Sequence, residues 1–339
     1  MLSLIAMDMK TDDRLVLLTE WVSRFDGFAG VQPQPASEDA SFRRYFRLRN
    51  GHSCIVMDAP PPQEDCRPFV AIAGYLEKMG LNSARVLEAD IERGFLLLSD
   101  LGSVPYLAEL DKHPARADEL YQDALDALVV MQEEGASFQS KLPPYDEALL
   151  RFELSLFHDW LCETHLGIEF SAGDEENWRA CCDTLVKCAL SQPKVFVHRD
   201  YHSRNLMVTE TDNPGIIDFQ DAVEGPYTYD VVSLLKDCYV KWPRADINSR
   251  AHYYFQRMPV SLEDSGRFQC DFDLMGVQRH LKAAGIFARL LHRDGKTGYL
   301  KDVPRTLSYI VDVAPDYDEL EFLNELITVR VLPGLGETK

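Results

Sequence analysis

The segment 194–235 places the tightest constraint on what this chain can fold into. Residues 195–197 and 206–208 are short apolar runs with the composition of buried strands. A turn-forming cluster at 211–215 precedes a third apolar pair, 216–217. Polar residues follow these runs directly. The segment therefore predicts loops at strand ends, where a rigid scaffold presents polar side chains.

The polar residues of these loops have the spacing of a kinase catalytic loop. Four of them fit the pattern H-R-D-x-x-x-x-N: His198, Arg199, Asp200 and Asn205. Asp218 begins an Asp-Phe-Gln tripeptide where kinases have D-F-G. Phosphoryl transfer depends on positioning and charge neutralisation. We therefore predict that Asp200 accepts or orients the proton of the attacking hydroxyl, and that Asn205 and Asp218 bind Mg²⁺ through oxygen atoms. The alternative is a surface loop with a buried Asp–Asn pair.

With these motifs, the chain resembles the aminoglycoside phosphotransferase-like small-molecule kinases. Typical members carry H-G-D-x-H-x-x-N, and His202 matches the second histidine of that pattern. They also place an Asp after G-x-P, as in Gly-Pro-Tyr-Thr-Tyr-Asp, which ends at Asp230. The resemblance implies that His198 and Asp230 are structural braces of the catalytic loop, and that His202 contacts substrate.

The resemblance also implies a fold and its division into lobes. We expect an α+β, two-lobed protein-kinase-like fold, with a small β-rich lobe and a larger, mainly helical lobe. The small nucleotide-binding lobe would span residues 1–98, the hinge 99–102, and the catalytic and substrate-binding lobe 103–339.

Three segments are similar to one branch of this family. They read Glu-Asp-Ala-Ser-Phe-Arg-Arg-Tyr at 38–45, Met-Asp-Ala-Pro at 57–60 and Gln-Arg-His-Leu-Lys at 278–282. The branch contains the cell-wall amino-sugar kinases, which phosphorylate the anomeric hydroxyl of N-acetylmuramate and N-acetylglucosamine. The resemblance therefore implies ATP and Mg²⁺ as cofactors, a small-molecule sugar as substrate, and a role in peptidoglycan recycling.

The expected nucleotide site departs from the kinase pattern. The segment 37–41 stands in the place of the phosphate loop but lacks glycines, which leaves Ser41 and backbone amides as phosphate ligands. Met57 lies near the position where kinases have a phosphate-binding Lys. Arg43 and Arg44 are the substitutes, because an Arg fork suits phosphate oxygens. Alternation along a strand allows only one of them to face the nucleotide.

A second nucleotide contact is expected at the end of an apolar strand, 95–98. The residues that follow, Ser99-Asp100-Leu101-Gly102, resemble the hinge between kinase lobes. Backbone N–H and C=O groups in this segment, at Ser99 and Leu101, would bind adenine.

A late stretch carries most of its charge as Lys and Arg. Residues 276–298 contain only one acid but five basic residues: Arg279, Lys282, Arg289, Arg293 and Lys296. Steps of three and four place most of them on one face of a predicted helix. That face is either solvated or an anion site in the catalytic cleft, for which Arg279 and Arg289 are the candidate substrate ligands.

Composition narrows the class of protein. The 339 residues allow two domains, and 46% hydrophobic with 27% charged residues is typical of globular proteins. The formal charge of −20 disfavours nucleic acid and anionic membranes as partners. The eight cysteines include no C-x-x-C, and no signal peptide or membrane helix is visible. We expect a cytoplasmic monomer.

The sequence leaves two other functions open. One is a kinase of another small hydroxyl compound, such as an aminoglycoside or a choline-like cation. The other is a catalytically inactive nucleotide-binding module, which the absent strand Lys favours and the intact Asp200, Asn205 and Asp218 oppose.

Overall fold

A computed structural model of the chain describes residues 12–38, 42–262 and 264–337. The chain divides into two compact units. The smaller unit comprises the chain up to Gly74 and Ala84–Leu101, and the larger comprises Tyr75–Ser83 and the chain from Gly102 onward. The chain enters the larger unit for good at Gly102, the last residue of the expected hinge. Residues 75–83, which precede the hinge, also belong to that unit.

The smaller unit is built on an antiparallel sheet with strand order β1-β2-β3-β5-β4. Its elements are α1 (Asp13–Val22), β1 (Gln34–Glu38), β2 (Arg44–Asn50), β3 (His52–Asp58), α2 (Arg67–Lys78, which runs on into the larger unit), β4 (Val86–Asp90) and β5 (Phe95–Ser99). Asn50 pairs with His52 across Gly51, whose φ of 73° places it in the left-handed region that glycine accepts readily. This tight turn makes β2 and β3 a hairpin.

The core of the smaller unit lies between α1 and one face of the sheet. Asp12 caps α1 by accepting a hydrogen bond from the backbone N–H of Leu15. The helix buries Leu18, Trp21 and Val22 against alternate residues of the central strands: Phe46, Leu48, Cys54, Val56, Phe95 and Leu97. Alternation with period two puts all of these strand residues on one face. The other residues of β2, which include Tyr45 and Arg47, point to the opposite face.

The larger unit is mainly helical. Its helices are α3 (Tyr106–Lys112), α4 (Ala117–Gly135), α5 (Glu147–Leu156), α6 (Ala172–Ser191), α7 (Tyr229–Leu235), α8 (Arg244–Phe255), α9 (Ser265–Asp294), α10 (Val303–Val311), α11 (Glu321–Glu325) and α12 (Leu332–Glu337). Two short antiparallel pairs complete it, β6 (Lys194–Val197) with β9 (Val223–Pro226) and β7 (Leu206–Met207) with β8 (Gly215–Ile216).

The long helix α9 is the centre of the larger unit. It packs against α5, α6, α7 and α10, and against a π-helical segment, Phe157–His165, that continues α5. Asp264 caps its first turn, and Gly295 ends it with a φ of 68°. None of the helices among the described residues has the length and hydrophobicity needed to cross a lipid bilayer.

Most sequence-predicted elements occur close to their expected positions. The three short strands at 195–197, 206–208 and 216–217 correspond to β6, β7 and β8, and the basic stretch lies largely on α9. The expected α+β class is confirmed, with a β-rich smaller part and a mainly helical larger part.

Candidate active site

His198 connects the catalytic loop to the segment after β8. It follows the last residue of β6 and is fully buried. Its Nδ1 accepts a hydrogen bond from the backbone N–H of Asp200 at 3.2 Å, so Nε2 carries the proton and donates to the carbonyl of Ile217 at 3.1 Å. Burial lowers the pKa of His198 to about 4. A neutral His198 thus satisfies both ring nitrogens and fixes the start of the loop.

Asp230, in the first turn of α7, holds the same end of the loop. Its carboxylate oxygens accept hydrogen bonds from the backbone N–H groups of His198 at 2.6 Å and Arg199 at 3.0 Å. Burial raises the pKa of Asp230 to about 7, against the opposing effect of these two bonds. The geometry is that of a brace, as the family resemblance implies.

The structure shows a second brace, Asp237, that our sequence reasoning missed. Its carboxylate accepts hydrogen bonds from the backbone N–H groups of Ser203 at 2.9 Å and Tyr239 at 2.8 Å. Asp237 is 1% exposed and follows α7 closely. The feature of the sequence that could have indicated this role is a carboxylate next to the apolar residues of α7. The two carboxylates, Asp230 and Asp237, hold the two halves of the catalytic loop.

Asn205 connects Asp200 to Asp218. Its Nδ2 donates to the backbone carbonyl of Asp200 at 3.0 Å and to Oδ2 of Asp218 at 3.2 Å. Oδ1 of Asp218 accepts a further bond from Gln220 at 2.9 Å. Asp218 has a φ of 61°, a conformation that side chains rarely adopt and that is concentrated at functional sites. The structure therefore brings the three residues of the predicted catalytic and metal site together.

The donor set around Asn205 and Asp218 fits Mg²⁺. With Nδ2 of Asn205 engaged, its Oδ1 is the atom left to coordinate a metal, and Asp218 offers a carboxylate. Amide and carboxylate oxygens are the ligands that this hard cation prefers.

Asp200 lies among cationic side chains. Burial would raise the pKa of its carboxyl group, but Lys282, His202, Arg199 and Arg279 act in the opposite direction and hold the pKa below its usual value. An ionised, half-buried carboxylate suits a group that must orient a hydroxyl proton.

The predicted substrate residues His202 and Arg279 both lie near Asp200. His202 is 8% exposed; burial lowers its pKa, and its Nδ1 has no hydrogen-bond partner in the part of the chain that the structure describes. Arg279 is 6% exposed; its Nη1 makes a long contact of 3.6 Å with Sγ of Cys238, and its Nε has no partner within the described ranges. A buried guanidinium with so few partners is suited to bind an anion.

The structure separates the cations of α9 that the sequence placed on one face. Lys282 donates to the hydroxyl of Tyr229 at 2.8 Å and lies 3.1 Å from Glu153. Arg289 is ten residues beyond Arg279, or about 15 Å along the helix axis. Burial and the nearby Arg293 lower the pKa of Arg289. Only the part of the face at Arg279 and Lys282 therefore belongs to the surroundings of Asp200.

In the smaller unit, Arg43 and Arg44 have different partners. Nε of Arg43 lies 3.7 Å from Glu64. Arg44 binds the buried Asp58 at 2.6 Å and also pairs with Asp12. Because β2 alternates, Arg44 shares the face of the sheet that packs on α1. Arg44 is therefore a structural residue that joins β2 to β3 and α1, which corrects its inclusion among the phosphate ligands; Arg43 is kept.

One of the backbone groups expected to bind adenine at the hinge is hydrogen-bonded within the smaller unit. The backbone N–H of Ser99 donates to the carbonyl of Arg85 at 2.9 Å, and its hydroxyl accepts from the N–H of Arg85. The N–H of Ser99 is therefore engaged with Arg85, whereas the adenine contact at the carbonyl of Ser99 stays a prediction. Leu101 ends this unit and is half-buried. Ser41, the predicted phosphate ligand, lies outside the described residues.

Known proteins match almost the whole chain. An N-acetylmuramate/N-acetylglucosamine kinase of Pseudomonas aeruginosa is 51% identical over 313 residues, which cover 89% of this chain and 90% of that protein. A kinase of the same name from Pseudomonas putida is 49% identical over 332 residues, covering 93% and 96%.

A solved structure agrees with the architecture. The choline kinase LicA from Streptococcus pneumoniae matches with a TM-score of 0.61 over 88% of this chain and 98% of its own, at 12% identity, which supports the shared kinase-like fold. The model of the phosphotransferase enzyme family matches residues 33–264. With its catalytic-loop motif, its fold and these relatives, the chain belongs to the phosphotransferase enzyme family, the aminoglycoside phosphotransferase-like kinases.

Proposed function

We propose that this chain is an ATP-dependent sugar kinase that phosphorylates the anomeric hydroxyl of N-acetylmuramate and N-acetylglucosamine, in the recycling of peptidoglycan. The observation that carries the proposal is the geometry of the loop, in which Asn205 joins the backbone of Asp200 to the carboxylate of Asp218 as in a kinase catalytic loop. The choice of sugar rests on relatives of that name at 51% and 49% identity.

In this proposal the residues of the larger unit have different roles. Asp200 orients the anomeric hydroxyl and accepts its proton, while Asn205 and Asp218 hold Mg²⁺. The metal ion, when bound, neutralises charge on the phosphates of ATP. His198, Asp230 and Asp237 fix the loop backbone and thereby the direction of Asp200. The proposed nucleotide ligands in the smaller unit are Arg43, the backbone at Ser41 and Leu101, and the carbonyl of Ser99.

The first test is turnover of ATP across a panel of acceptors. We expect ADP formation with N-acetylmuramate and N-acetylglucosamine, and none with choline or an aminoglycoside, because Arg279 and Lys282 near Asp200 repel cations. The methyl glycoside of N-acetylglucosamine is the matched control, since only its anomeric hydroxyl is blocked. Turnover of the glycoside would exclude the anomeric position, and no turnover with any acceptor would favour an inactive nucleotide-binding module.

The proposed metal site has its own test. Asp218→Ala removes one of the two side chains that offer oxygen ligands, so nucleotide binding by the variant should no longer depend on Mg²⁺. Calorimetric titration of ADP with and without Mg²⁺ measures this dependence. An unchanged dependence in the variant would contradict the assignment.

We also propose that Arg279 binds the carboxylate that N-acetylmuramate carries and N-acetylglucosamine lacks. Charge-assisted hydrogen bonds contribute roughly 1.5–3 kcal/mol, so Arg279→Met should raise KM for the muramate about 10- to 150-fold and leave the glucosamine nearly unaffected. Arg289→Met tests the other candidate, which lies further along α9. If both sugars lose activity in parallel in both variants, other residues bind the carboxylate.

A further inference from the structure

Glu153 of α5 is a buried carboxylate to which the sequence assigned no role. It is 2% exposed and accepts contacts from four side chains. Its Oε1 lies 2.5 Å from Nη2 of Arg199 and 3.1 Å from Nζ of Lys282. Its Oε2 accepts hydrogen bonds from the hydroxyl of Tyr145 and, at 3.1 Å, from Nε2 of Gln278. One oxygen thus takes both cations and the other takes both neutral donors.

Both cations held by Glu153 act on Asp200. Arg199 is its neighbour in the chain, and Lys282 is one of the cations that hold the pKa of Asp200 down. Burial would raise the pKa of Glu153, but Lys282 and Arg199 outweigh it, so Glu153 is ionised too. The charges of these groups therefore balance: Arg199 and Lys282 are positive, and Glu153 and Asp200 are negative. Arg279 and the brace Asp237 add one charge of each sign nearby.

The backbone of Arg199 gives the contact with Glu153 a further effect. Arg199 has a φ of 77°, which is unfavourable for any residue with a Cβ, and typical members of the family have Gly at this position. Its guanidinium is fixed by Glu153 and lies over the ring of Tyr145, 5.9 Å from the centroid. A strained residue persists only where its surroundings hold it. The ion pair of Arg199 with Glu153 holds the backbone in this conformation immediately before Asp200.

We propose that Glu153 is a positioning residue for phosphoryl transfer, which keeps Arg199 and Lys282 from ion-pairing with Asp200. Without this counter-ion, Asp200 is the remaining carboxylate that acts on both cations, which are largely buried. An Asp200 held by them would no longer be directed at the acceptor hydroxyl. The inference rests on the proposed function, because it assumes that Asp200 orients that hydroxyl.

The direct test is Glu153→Gln, which preserves shape and one acceptor oxygen but removes the charge. We expect kcat to fall about 10- to 100-fold, with KM for ATP and for the sugar changed by less than about 3-fold, because orientation is lost and not binding. Glu147→Gln is the matched control: Glu147 lies on the same helix, is exposed, and pairs with Arg151 at 2.8 Å. An equal kcat in wild type and Glu153→Gln would overturn the proposal, as would a loss confined to KM.

A double-mutant cycle shows whether Glu153 acts through Arg199. Arg199→Gly suits the backbone conformation and leaves Glu153 paired with Lys282 alone. We expect Glu153→Gln to lower kcat several-fold less in the Arg199→Gly background than in the wild type, because one of the two cations that could pair with Asp200 is then absent. Equal losses in both backgrounds would overturn the proposed route.

The cycle also covers a failure to fold. Thermal melts of each variant are recorded first. If Glu153→Gln does not fold alone, the double variant, which removes one charge of each sign, is compared with Arg199→Gly. An equal kcat in these two would overturn the inference, because Lys282 is then free to pair with Asp200. Wild-type turnover with the two sugars is measured before any variant. Its absence would refute the proposed function, whereas wild-type turnover with unaffected variants would refute only the role of Glu153.

Discussion

Asp200 shows how the larger unit reconciles burial with charge. A carboxylate removed from water takes up a proton unless nearby charges oppose it. Here cations from the loop and from α9 oppose it, and Asp230 and Asp237 hold the backbone without contacting the reactive group. At the scale of the residue, the site is therefore a carboxylate whose charge and direction are controlled by different partners.

The first prediction follows from that charge. Asp200→Asn keeps the size of the side chain but cannot accept the hydroxyl proton, so we expect kcat to fall about 10²- to 10⁴-fold. Nucleotide affinity and melting temperature should stay close to those of the wild type. Steady-state assays with N-acetylglucosamine and titration with a non-hydrolysable ATP analogue measure the two effects. A near-native kcat would show that another group orients the acceptor.

The second prediction concerns stability and pH at His198. Its pKa is lowered from 6.5 to about 4 in the folded state, so the unfolded chain binds the proton more readily. The free energy of unfolding should therefore fall as pH drops below 6.5, by about 1.4 kcal/mol from this group at pH 5.5. Denaturant titrations at pH 7.5 and 5.5 should show wild type losing about that much more than His198→Gln. Other titrating groups are common to both proteins, and an identical pH dependence would contradict the assignment.

Residue spacing predicted the part of the site that is local in the chain. His198, Asp200 and Asn205 lie within one loop, where a motif fixes their relative positions. Glu153 contacts Arg199 across 46 residues, and Asp237 contacts Ser203 across 34, so no spacing connects them. Their roles depend on how α5 and α7 pack, which a local motif does not contain.

At the scale of elements, α9 determines the arrangement of the larger unit. It approaches the preceding chain closely at Gly285. A Cβ built there would lie 2.3 Å from the carbonyl carbon and 2.4 Å from the carbonyl oxygen of Leu156. Leu156 ends α5, where the π-helical segment begins. Only a residue without a side chain allows α9 to pass this junction.

The third prediction tests this crossing. In a helix interior, Gly→Ala ordinarily stabilises by about 1 kcal/mol. At Gly285 the added methyl group would meet backbone atoms that cannot rotate away, so we expect Gly285→Ala to lower the free energy of unfolding by about 1–3 kcal/mol or more. Gly298→Ala is the control, since nothing lies within 4 Å of its Cβ. A stabilised Gly285→Ala would show that the helices separate readily here.

Elements were predictable where a short pattern determines them. The hairpin at Gly51 and the three catalytic-loop strands follow from turn residues and apolar runs. The apolar spacing over 149–161 favours one amphipathic helix, whereas the structure changes from α to π at Phe157. That change lies where α9 crosses, and amphipathic spacing does not report such a contact.

At the scale of the whole molecule, charge opposes the proposed substrates. The formal charge is −20, while ATP and N-acetylmuramate are anions. The cations close to Asp200 act over a few ångströms and are largely buried, so salt screens them little, whereas the repulsion between the acidic surface and an approaching anion is long-range. The two contributions can be separated because only the second depends strongly on ionic strength.

The last prediction uses that difference. Raising the ionic strength from 0.01 to 0.15 M shortens the Debye length from about 30 to about 8 Å, which screens surface charges but not buried pairs. At saturating ATP, we therefore expect KM for N-acetylmuramate to fall about 2- to 5-fold relative to KM for the uncharged N-acetylglucosamine. The neutral sugar corrects for any effect of salt on the enzyme or on ATP. If KM for the muramate instead rises relative to the neutral sugar, attraction by solvent-accessible cations dominates over the net charge, and the carboxylate is bound at a more exposed place than Arg279.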